Sequence, residues 1–352
     1  MQDFLSDFDS FAQSWWPYLI TLFVSIISAI RIYVGGTYCD SSHNIEGKNV
    51  IITGGASGIG LETTKELAKR GANIILAVRN ADKGRNAIEQ IKMLAPRANI
   101  VIKLLDTSEF SSIRDFADQI KNEYGKIDVL INNAGIIFHP YKKTTDGNEL
   151  TFVTNYLGPF LLTHLLLPVL NKSDNGRVIN ISALAHFNGK LKLDDLNSEK
   201  SFNEKDAFAQ SKLAVTMCTK YMAMLYKKTN ITFNSVNPGL VRDTGHIKKY
   251  STLGCSYLTK LSVWPWIWLF MKTPKQGCQS IVYLAVEPTL NTVSGCYFSD
   301  CEIKEPAEIV KDMNLAKVLY EKSCKIVNID PDKILMSIEK RDGPITRSEA
   351  EH

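Results

Sequence analysis

The stretch Thr53-Gly54-Gly55-Ala56-Ser57-Gly58-Ile59-Gly60 decides the fold of this chain. It follows the apolar, β-branched run Asn49–Thr53, which predicts a strand, and it leads into a helical pattern over Leu61–Arg70. At such a junction the first glycine permits a tight turn, the third lets the backbone approach a pyrophosphate, and the fourth lets helix and strand pack closely. The start of the helix offers unpaired N–H groups and a positive dipole end to phosphates. The stretch therefore predicts a dinucleotide site.

The same alternation of strand and helix patterns continues along the chain. A second helix is predicted at Ala81–Leu94, and the segments between the later strands also have helical periodicity. Near-continuous apolar strands joined by helices indicate a parallel sheet covered on both faces. The predicted fold is therefore a single doubly wound, Rossmann-type α/β domain with three layers. Its further strands are predicted at Asn73–Ala77, Ile100–Leu105, Val129–Asn132, Val178–Ser182 and Ile231–Asn237.

Bulk composition fits a globular protein and argues against nucleic-acid binding. The chain has 352 residues, of which 45% are hydrophobic and 22% are charged, and its net charge is +4. That excess of positive charge is too small and too dispersed for a nucleic-acid partner. The seven cysteines lack the spacing of a metal site, so no metal is predicted, and reduced thiols in a cytosol-facing domain are expected. They are Cys39, Cys218, Cys255, Cys278, Cys296, Cys301 and Cys324.

An apolar run near the N-terminus predicts a transmembrane anchor. Trp15–Val34 reaches the length of about 20 residues that a span requires, provided that Arg31 extends its side chain to the interface. Aromatic residues stand at both ends of the run, as in the aromatic belts of membrane proteins. Acidic residues precede the run and Arg31 lies near its end, so the positive-inside tendency places the following domain in the cytosol. An amphipathic or re-entrant helix on the membrane is the alternative.

These signals divide the chain into five parts. A tail (1–14) precedes the anchor (15–34), and a polar linker (35–47) leads to the α/β domain (48–328). A polar C-terminal tail (329–352) is predicted to fray from Asp330 onwards.

One segment inside the domain is unusually rich in tryptophan. Tyr257–Met271 contains Trp264-Pro265-Trp266-Ile267-Trp268-Leu269-Phe270, which is too short to cross a bilayer. The segment predicts a lid over an apolar substrate or a second membrane contact. Core packing between two helices is the alternative.

The glycine stretch and several later motifs, in this order, resemble those of the short-chain dehydrogenase/reductase family from about Lys48 to Val327. Thr53–Gly60 is similar to the family's Thr-Gly-x-x-x-Gly-x-Gly motif, and Asn132-Asn133-Ala134-Gly135 to the motif that lies beside the adenosine and ribose. Asn155 matches the helix Asn that holds a water of the proton relay. Asn237-Pro238-Gly239-Leu240-Val241 matches the motif whose backbone binds the nicotinamide amide.

By this resemblance the cofactor is a nicotinamide dinucleotide, with NADP(H) preferred and NAD(H) as the alternative. The second strand ends at Arg79 and carries no carboxylate there, and a fixed cation suits a 2′-phosphate. Asp106 resembles the family's adenine-contacting Asp, or else it caps the chain from Ser108 onwards. The Thr that usually follows the nicotinamide motif is displaced here, to Asp243-Thr244. The residues predicted to hold the cofactor are Thr53, Gly54, Ser57, Gly58, Ile59, Gly60, Arg79, Asp106, Asn133, Ala134, Gly135, Lys212, Pro238, Gly239 and Val241.

Two catalytic positions of the family are occupied by other residues in this chain. Ala207–Ala214 resembles the active-site helix, in which a Tyr four residues before the Lys exchanges a proton with the substrate oxygen. Phe208 has no proton to donate. Lys212 is retained, and by the resemblance it binds the nicotinamide ribose. Val178–His186 resembles the strand that carries the catalytic Ser, and Ala183 stands at that position. The catalytic residues that remain by resemblance are Asn155 and Lys212.

Three nearby side chains are candidate replacement proton donors. Ser182 adjoins Ala183, although neighbouring strand residues point to opposite faces of a sheet. Ser211 and His186 are the others, and His186 also fits a surface or subgroup position. A positioned general acid contributes about 10²–10⁴-fold to a rate, and an oxyanion donor about 10²–10³-fold.

Within the family the chain resembles the membrane-anchored retinol dehydrogenases and the X-linked-type dehydrogenase/reductases. The signs are the anchor, Ser211-Lys212-Leu213-Ala214, and Lys272-Thr273-Pro274 followed by Gly277. The resemblance implies a lipophilic alcohol or aldehyde, such as a retinoid, sterol or polyprenoid, and a membrane of the endoplasmic reticulum or lipid droplet. Since the family often dimerises through helices, a homodimer is also expected. Two functions stay open: an oxidoreductase with an altered proton donor, and a non-catalytic dinucleotide-binding scaffold or regulator.

Overall fold

The structure is a computed structural model that describes residues 14–242 and 265–339, and in these ranges eight strands form one sheet. The strands are β1 Asn49–Thr53, β2 Asn73–Val78, β3 Ile100–Leu104, β4 Val129–Asn132, β5 Gly176–Ile181, β6 Ile231–Asn237, β7 Tyr297–Ser299 and β8 Glu302–Lys304. Their order is β3-β2-β1-β4-β5-β6-β7-β8. The first seven are parallel, and β8 runs antiparallel to β7. Because β1 pairs with both β2 and β4, the strand order reverses there, and a ligand crevice opens at the carboxyl ends of the strands.

Helices cover both faces of the sheet. The helices that follow the strands are α2 Gly58–Lys69, α3 Ala81–Leu94, α4 Phe110–Glu123, α5 Leu150–Leu170, α6 Glu204–Leu225, α8 Pro274–Gly277, α9 Gln279–Val286, α10 Met313–Ile326 and α11 Pro331–Glu339. The N-terminal helix α1 spans Trp16–Gly35, and residues 265–270 are helical and are called α7 here. Short 3-10 turns lie at Leu184–Asn188, Pro288–Leu290 and Glu308–Lys311.

Each face of the sheet buries its own apolar cluster. Along β1, Ile51 points to one face while Val50 and Ile52 point to the other, and all three are fully buried. The first cluster lies beneath α4, α5, α6 and α10, and the second beneath α2, α3 and α9. Burial on both faces is why these strands read as continuous apolar runs. The predicted doubly wound, three-layer fold is therefore confirmed.

The predicted frayed tail is wrong for the part of it that the structure describes. Pro331–Glu339 is helical, and Ile334, Leu335 and Ile338 pack against the first core cluster. The i, i+4 spacing of Ile334 and Ile338 places them on one helix face. The polar residues that suggested a tail occupy the remaining positions of this helix. The edge strands β7 and β8 were also not predicted, because each has only three residues.

The helix α1 has the dimensions of a membrane span. Its 20 residues have a mean hydropathy of 1.8, and only 6% of its best window is buried. Leu150–Leu170 passes the same test of length and composition, but 89% of its window is buried, so it is a core helix. By length and composition, α1 is thus the candidate span with an exposed apolar surface.

The segment predicted as a polar linker packs along the domain. Ile45 is buried, and its N–H donates to the carbonyl of Arg70 at 3.0 Å. The Arg70 guanidinium in turn donates to the carbonyl oxygens of Ser41 and His43 at 2.7 and 2.8 Å. The N–H of Cys39 donates to Gln279 Oε1 at 3.1 Å. These contacts connect α1 to the domain through a bound segment of chain.

Candidate active site

The glycine stretch forms a tight turn between β1 and α2. Gly54 and Gly58 have φ values of +66° and +53°, a region that other residues rarely adopt. A Cβ on Gly60 would lie 2.5 Å from both the Gly54 carbonyl oxygen and Asn133 Nδ2. Because α2 begins at Gly58, the N–H groups of Gly58, Ile59 and Gly60 belong to the first turn, which lacks intrahelical acceptors. This geometry suits a pyrophosphate.

The second motif is bonded to the first. Thr53 Oγ1 accepts hydrogen bonds from the N–H groups of Asn133 and Ala134 at 3.0 and 2.9 Å, and Asn133 Nδ2 donates to the Thr53 carbonyl at 2.9 Å. A Cβ on Gly135 would lie 3.1 Å from Asn155 Oδ1 and 3.8 Å from Lys212 Nζ. The absence of a side chain at Gly135 therefore leaves room beside two predicted catalytic residues.

Arg79 and Asp106 lie together at the ends of their strands. The Arg79 side chain is 66% exposed, and its Nη1 lies 3.9 Å from Asp106 Oδ2. Asp106 Oδ1 accepts hydrogen bonds from the N–H and hydroxyl of Ser108 at 2.8 and 2.6 Å. The capping contact offered as the alternative role of Asp106 is thus present. The guanidinium is thus exposed just beyond the carboxyl end of β2.

The nicotinamide motif forms the far wall of the crevice. Gly239 has a φ of +82°, and its N–H donates to Asn237 Oδ1 at 3.0 Å. A Cβ on Gly239 would lie 3.1 Å from the aliphatic part of Lys272, and Val241 bridges to the same residue. Lys272, which the sequence reasoning did not assign, therefore supports this turn and forms an ion pair with Asp300. The displaced Asp243-Thr244 contact lies outside the described residues.

We call these three elements the cofactor cradle: Thr53–Gly60, Asn133–Gly135 and Pro238–Val241. Ser57, at the mouth of the glycine turn, is exposed. A nicotinamide dinucleotide fits the cradle, because glycine at 60 lets α2 pack directly on the Gly54 turn and the first-turn N–H groups of α2 can then face a diphosphate. The cradle backbone would hold the phosphates and nicotinamide amide, Arg79 would face the adenosine ribose, and Lys212 the nicotinamide ribose.

Lys212 is buried beside the cradle. Its side chain is 7% exposed, and Nζ donates to the Ile181 carbonyl at 2.8 Å. Burial disfavours the charged ammonium and lowers the pKa of Lys212 from 10.5 to about 8. This hydrogen bond holds the amine in place beside the cradle.

Asn155 is fixed by a π-helical turn inside α5. The turn spans Val153–Leu157, and such turns are frequent at functional sites. Asn155 Oδ1 accepts from the Ile136 N–H at 2.8 Å, and its Nδ2 donates to the Ile136 carbonyl at 2.9 Å and to Ser211 Oγ at 3.0 Å. The Asn side chain is therefore held rigidly next to α6.

Phe208 occupies the position expected of a tyrosine. Its ring centroid lies 5.9 Å from Lys212 Nζ, one helical turn away. The ring of Phe138 packs edge-on against it at 5.6 Å. Phe208 is 6% exposed, and Ala183 lies two residues beyond the end of β5. We call Asn155, Ala183, Phe208 and Lys212 the reaction corner; an apolar ring and a methyl group stand where the family resemblance predicted two hydroxyls.

The three candidate replacement donors make internal hydrogen bonds. Ser182 Oγ lies 2.7 Å from Thr216 Oγ1, so its side chain faces α6. Ser211 Oγ donates to the Phe208 carbonyl at 2.7 Å and is fully buried. His186 Nε2 accepts from the Ala307 N–H at 3.2 Å, and its Nδ1 lies 2.8 Å from the Ala183 carbonyl. Burial lowers the pKa of His186, which favours the neutral ring.

Comparison with known proteins gives consistent similarities. A family model described as short chain dehydrogenase matches residues 48–252. The chain is 37% identical to retinol dehydrogenase 13 from Homo sapiens, covering 90% of this chain and 94% of that protein. It is 38% identical to retinol dehydrogenase 12 from Mus musculus, covering 88% and 97% respectively. It is also 37% identical to the chloroplastic short-chain dehydrogenase TIC 32 B from Brassica napus, covering 83% and 93%.

Solved structures share the fold. An uncharacterized protein from Mycobacterium paratuberculosis aligns with a TM-score of 0.66 at 28% identity, covering 84% of this chain and 98% of that one. A short-chain dehydrogenase from Shigella flexneri, solved in complex with NADP, aligns with a TM-score of 0.57 at 23% identity, covering 74% of this chain and all of that one.

Proposed function

The chain belongs to the short-chain dehydrogenase family of oxidoreductases, and we propose that it binds NADP(H) at a membrane and acts slowly on lipophilic alcohols or aldehydes. The observation that carries this proposal is the contrast around Lys212: the cofactor cradle keeps its hydrogen bonds, while Phe208 and Ala183 supply no hydroxyl to the reaction corner. A protein so built retains the cofactor and transfers its hydride without help from the usual acid.

The preference for NADP(H) rests on Arg79. Its exposed guanidinium lies at the end of β2, where NAD-binding proteins place a carboxylate for the ribose 2′-hydroxyl. Arginine forms charge-assisted, bidentate contacts with phosphate oxygens. A 2′-phosphate would therefore replace the weak, 3.9 Å contact with Asp106 as its partner.

The slow turnover follows from proton supply. A nicotinamide dinucleotide held in the cradle would exchange a hydride with the carbonyl carbon, and reduction would also require a proton on the carbonyl oxygen. Phe208 donates none, and Ser182, Ser211 and His186 are engaged in internal hydrogen bonds. The proton then comes from water or from the substrate itself, at a cost of about 10²–10⁴-fold in rate for the missing general acid.

The proposed substrate class follows from the relatives and from the apolar wall of the site. Retinol dehydrogenases 12 and 13 are named for a lipophilic alcohol, and the edge-on pair Phe138 and Phe208 lines the reaction corner with aromatic carbon. A retinoid, sterol or polyprenoid would match such a wall. The proposed membrane is that of the endoplasmic reticulum or lipid droplet, with α1 as the anchor and the domain towards the cytosol.

A homodimer would have to use a surface other than the outer faces of α5 and α6. In this chain α10 packs on α6 and α11 packs on α5, and the two C-terminal helices share the first core cluster with them. The expected dimerisation through helices is therefore proposed only for helices that remain uncovered.

A second candidate function is a non-catalytic scaffold or regulator that binds the dinucleotide without turning over. Two observations favour this function. Ala183 and Phe208 stand where the family has Ser and Tyr, and the nearby hydroxyls of Ser182 and Ser211 are already engaged in internal hydrogen bonds. The two candidates share the cofactor and differ only in product formation.

The test separates binding from turnover in the wild-type full-length protein. NADPH binding is titrated by fluorescence, and a panel of retinoid, sterol and polyprenoid aldehydes is then incubated with protein and NADPH for product analysis. The proposal predicts saturable binding with slow product formation. Binding with no product on any aldehyde would favour the scaffold, and absence of NADPH binding would contradict both.

A further inference from the structure

Arg31 of α1 binds the end of α7. Its Nη1 donates to the carbonyl oxygens of Trp268, Leu269 and Met271 at 2.8, 3.2 and 3.0 Å. The guanidinium also lies 5.3 Å from the Trp268 ring centroid, within the range of a cation–π contact. The last carbonyls of a helix lack intrahelical partners and form the negative end of its dipole. The one cation inside the predicted span is thus satisfied by α7 and attaches this helix to the anchor.

The opposite side of α7 presents two aromatic rings to the outside. Trp266 is 63% exposed and Phe270 is 46% exposed, and their rings stack at 5.8 Å with an interplanar angle of 6°. Their i, i+4 spacing makes them one helix face. We call this pair the Trp266–Phe270 face. Exposed apolar surface next to a membrane-sized helix indicates a site that something apolar covers.

The position of Arg31 along α1 fixes the depth of α7. The 20 residues of α1 span about 30 Å, close to the thickness of the hydrocarbon core. Arg31 lies four residues before the end of α1, hence about 6 Å from it along the axis. With α1 as the proposed span, α7 would lie level with the boundary between acyl chains and headgroups, where tryptophan is enriched.

The same helix leads directly to the nicotinamide end of the site. Lys272, two residues beyond α7, donates its N–H to the Leu240 carbonyl at 2.7 Å and packs against Gly239. Leu240 itself is 62% exposed. A continuous path of contacts thus runs from Arg31 through α7 and Lys272 to the cofactor cradle.

We propose that the Trp266–Phe270 face is a second membrane contact, seated in the headgroup–acyl boundary of the bilayer and held there by Arg31. The anchor alone would allow the domain to rotate about one helix axis. With α7 as a second contact, the nicotinamide end of the crevice is turned towards the lipid, so that a lipophilic alcohol or aldehyde enters from the bilayer. This inference rests on the proposed anchoring by α1.

The test measures the depth of Trp266 in phosphatidylcholine vesicles that contain the full-length protein. Trp15, Trp16 and Trp264 are replaced by Phe, which leaves Trp266 and Trp268, and the difference in emission on adding Trp266→Phe reports Trp266 alone. Bromine atoms placed near the headgroup or near the acyl end of the lipid quench tryptophan at matching depth. We expect Trp266 emission to be quenched most by bromine near the headgroup.

Two matched variants sharpen the result. Arg31→Ala makes the anchor more apolar and keeps it inserted, so loss of Trp266 quenching in this variant would come from release of α7. Met93→Trp, in the variant that lacks Trp266, places a probe at a position that is 79% exposed near the end of α3. The helix α3 runs back towards the amino ends of the strands, away from Gly239, so this probe is expected to stay unquenched.

Flotation of the vesicles distinguishes failure of the anchoring by α1 from failure of the second contact by α7. Protein that floats with the vesicles but shows unquenched Trp266, or quenching equal to that of Met93→Trp, would overturn the second contact and leave the anchor intact. Protein that does not float would overturn the anchoring and this inference with it. Quenching that is unchanged in Arg31→Ala would contradict the role of Arg31.

Discussion

The cofactor cradle and the reaction corner adjoin at Lys212, yet they differ in what their groups supply. In the cradle, hydrogen bonds between Thr53 and Asn133 join the two turns, and Gly60 lets α2 pack closely against the Gly54 turn. In the corner, Asn155 and Lys212 are also held by hydrogen bonds, but the ring beside Lys212 is the hydrocarbon ring of Phe208. We therefore expect cofactor binding and proton transfer to be separable in this protein, because backbone and glycines would provide the first, whereas the second would need the two hydroxyls that Phe208 and Ala183 lack.

The largest expected effect is a gain of rate in Phe208→Tyr. The new hydroxyl would stand one turn from Lys212, whose ammonium lowers the pKa of a neighbouring phenol. We expect kcat for aldehyde reduction to rise by about 10²–10⁴-fold, the range for a positioned general acid. The rate of NADPH oxidation at steady state gives this kcat. Phe138→Tyr is the matched control, since it adds a hydroxyl to the adjacent ring, which is not on the helix of Lys212. An equal gain in kcat in this control would contradict the assignment of position 208 as the site of the missing proton donor.

The next largest effect is expected from Gly60→Ala in the cradle. Its Cβ would meet two atoms at 2.5 Å, one of them a backbone oxygen. Overpacking of this kind costs about 1–3 kcal/mol, so NADPH affinity should fall by about 10–100-fold. Fluorescence titration gives the affinity, and a thermal melt checks the fold. Gly125→Ala, where a Cβ meets nothing within 4 Å, is the control; unchanged binding in Gly60→Ala would exclude this turn as the phosphate site.

A smaller effect is expected at Arg79. Arg79→Ala removes the exposed cation that we assign to the 2′-phosphate, and we expect NADPH affinity to fall about tenfold with NADH affinity unchanged, the low end for a charge-assisted hydrogen bond. Competitive titration with both dinucleotides measures the ratio. Arg85→Ala, on exposed α3, serves as a charge-matched control. A parallel loss for NADH and NADPH would assign Arg79 a structural role instead.

The smallest effect is a pH dependence of cofactor binding. Burial lowers the pKa of Lys212 to about 8 in the free protein. The protonated amine is the form that attracts the phosphates and donates to the ribose, so the bound cofactor raises this pKa. NADPH affinity should then be constant below pH 8 and fall by up to about tenfold as the pH rises to 9, since one proton is involved. Isothermal titration at several pH values checks this; a flat profile, or the same profile in Lys212→Met, would remove Lys212 from the site.

The sequence predicted the parts that are encoded locally. The turn Thr53–Gly60 and the buried strands follow from glycine geometry and from apolar runs, and the structure confirms them. The departures at Phe208 and Ala183 were visible because the family motif has a fixed spacing on one helix and one strand.

Long-range contacts were beyond the sequence. Arg31 was expected to reach the interface alone, and its binding to carbonyls 237 or more positions away depends on how α1 docks. The helix α11 was missed because its apolar face covers only a few positions among polar residues, and burial against α5 decides its structure. Phe138 lies in no motif, and Lys272 was noted only as part of the subgroup sign Lys272-Thr273-Pro274, because their contacts with Phe208 and Gly239 arise from packing.

The most direct test of the contrast measures NADPH affinity and kcat on the same samples of wild type and Ala183→Ser/Phe208→Tyr. The account predicts equal dissociation constants and a kcat at least about 10²-fold higher in the double variant, because both hydroxyls return while the cradle is unchanged. A wild-type kcat equal to that of the double variant, at equal cofactor occupancy, would show that another group of this protein already supplies the proton.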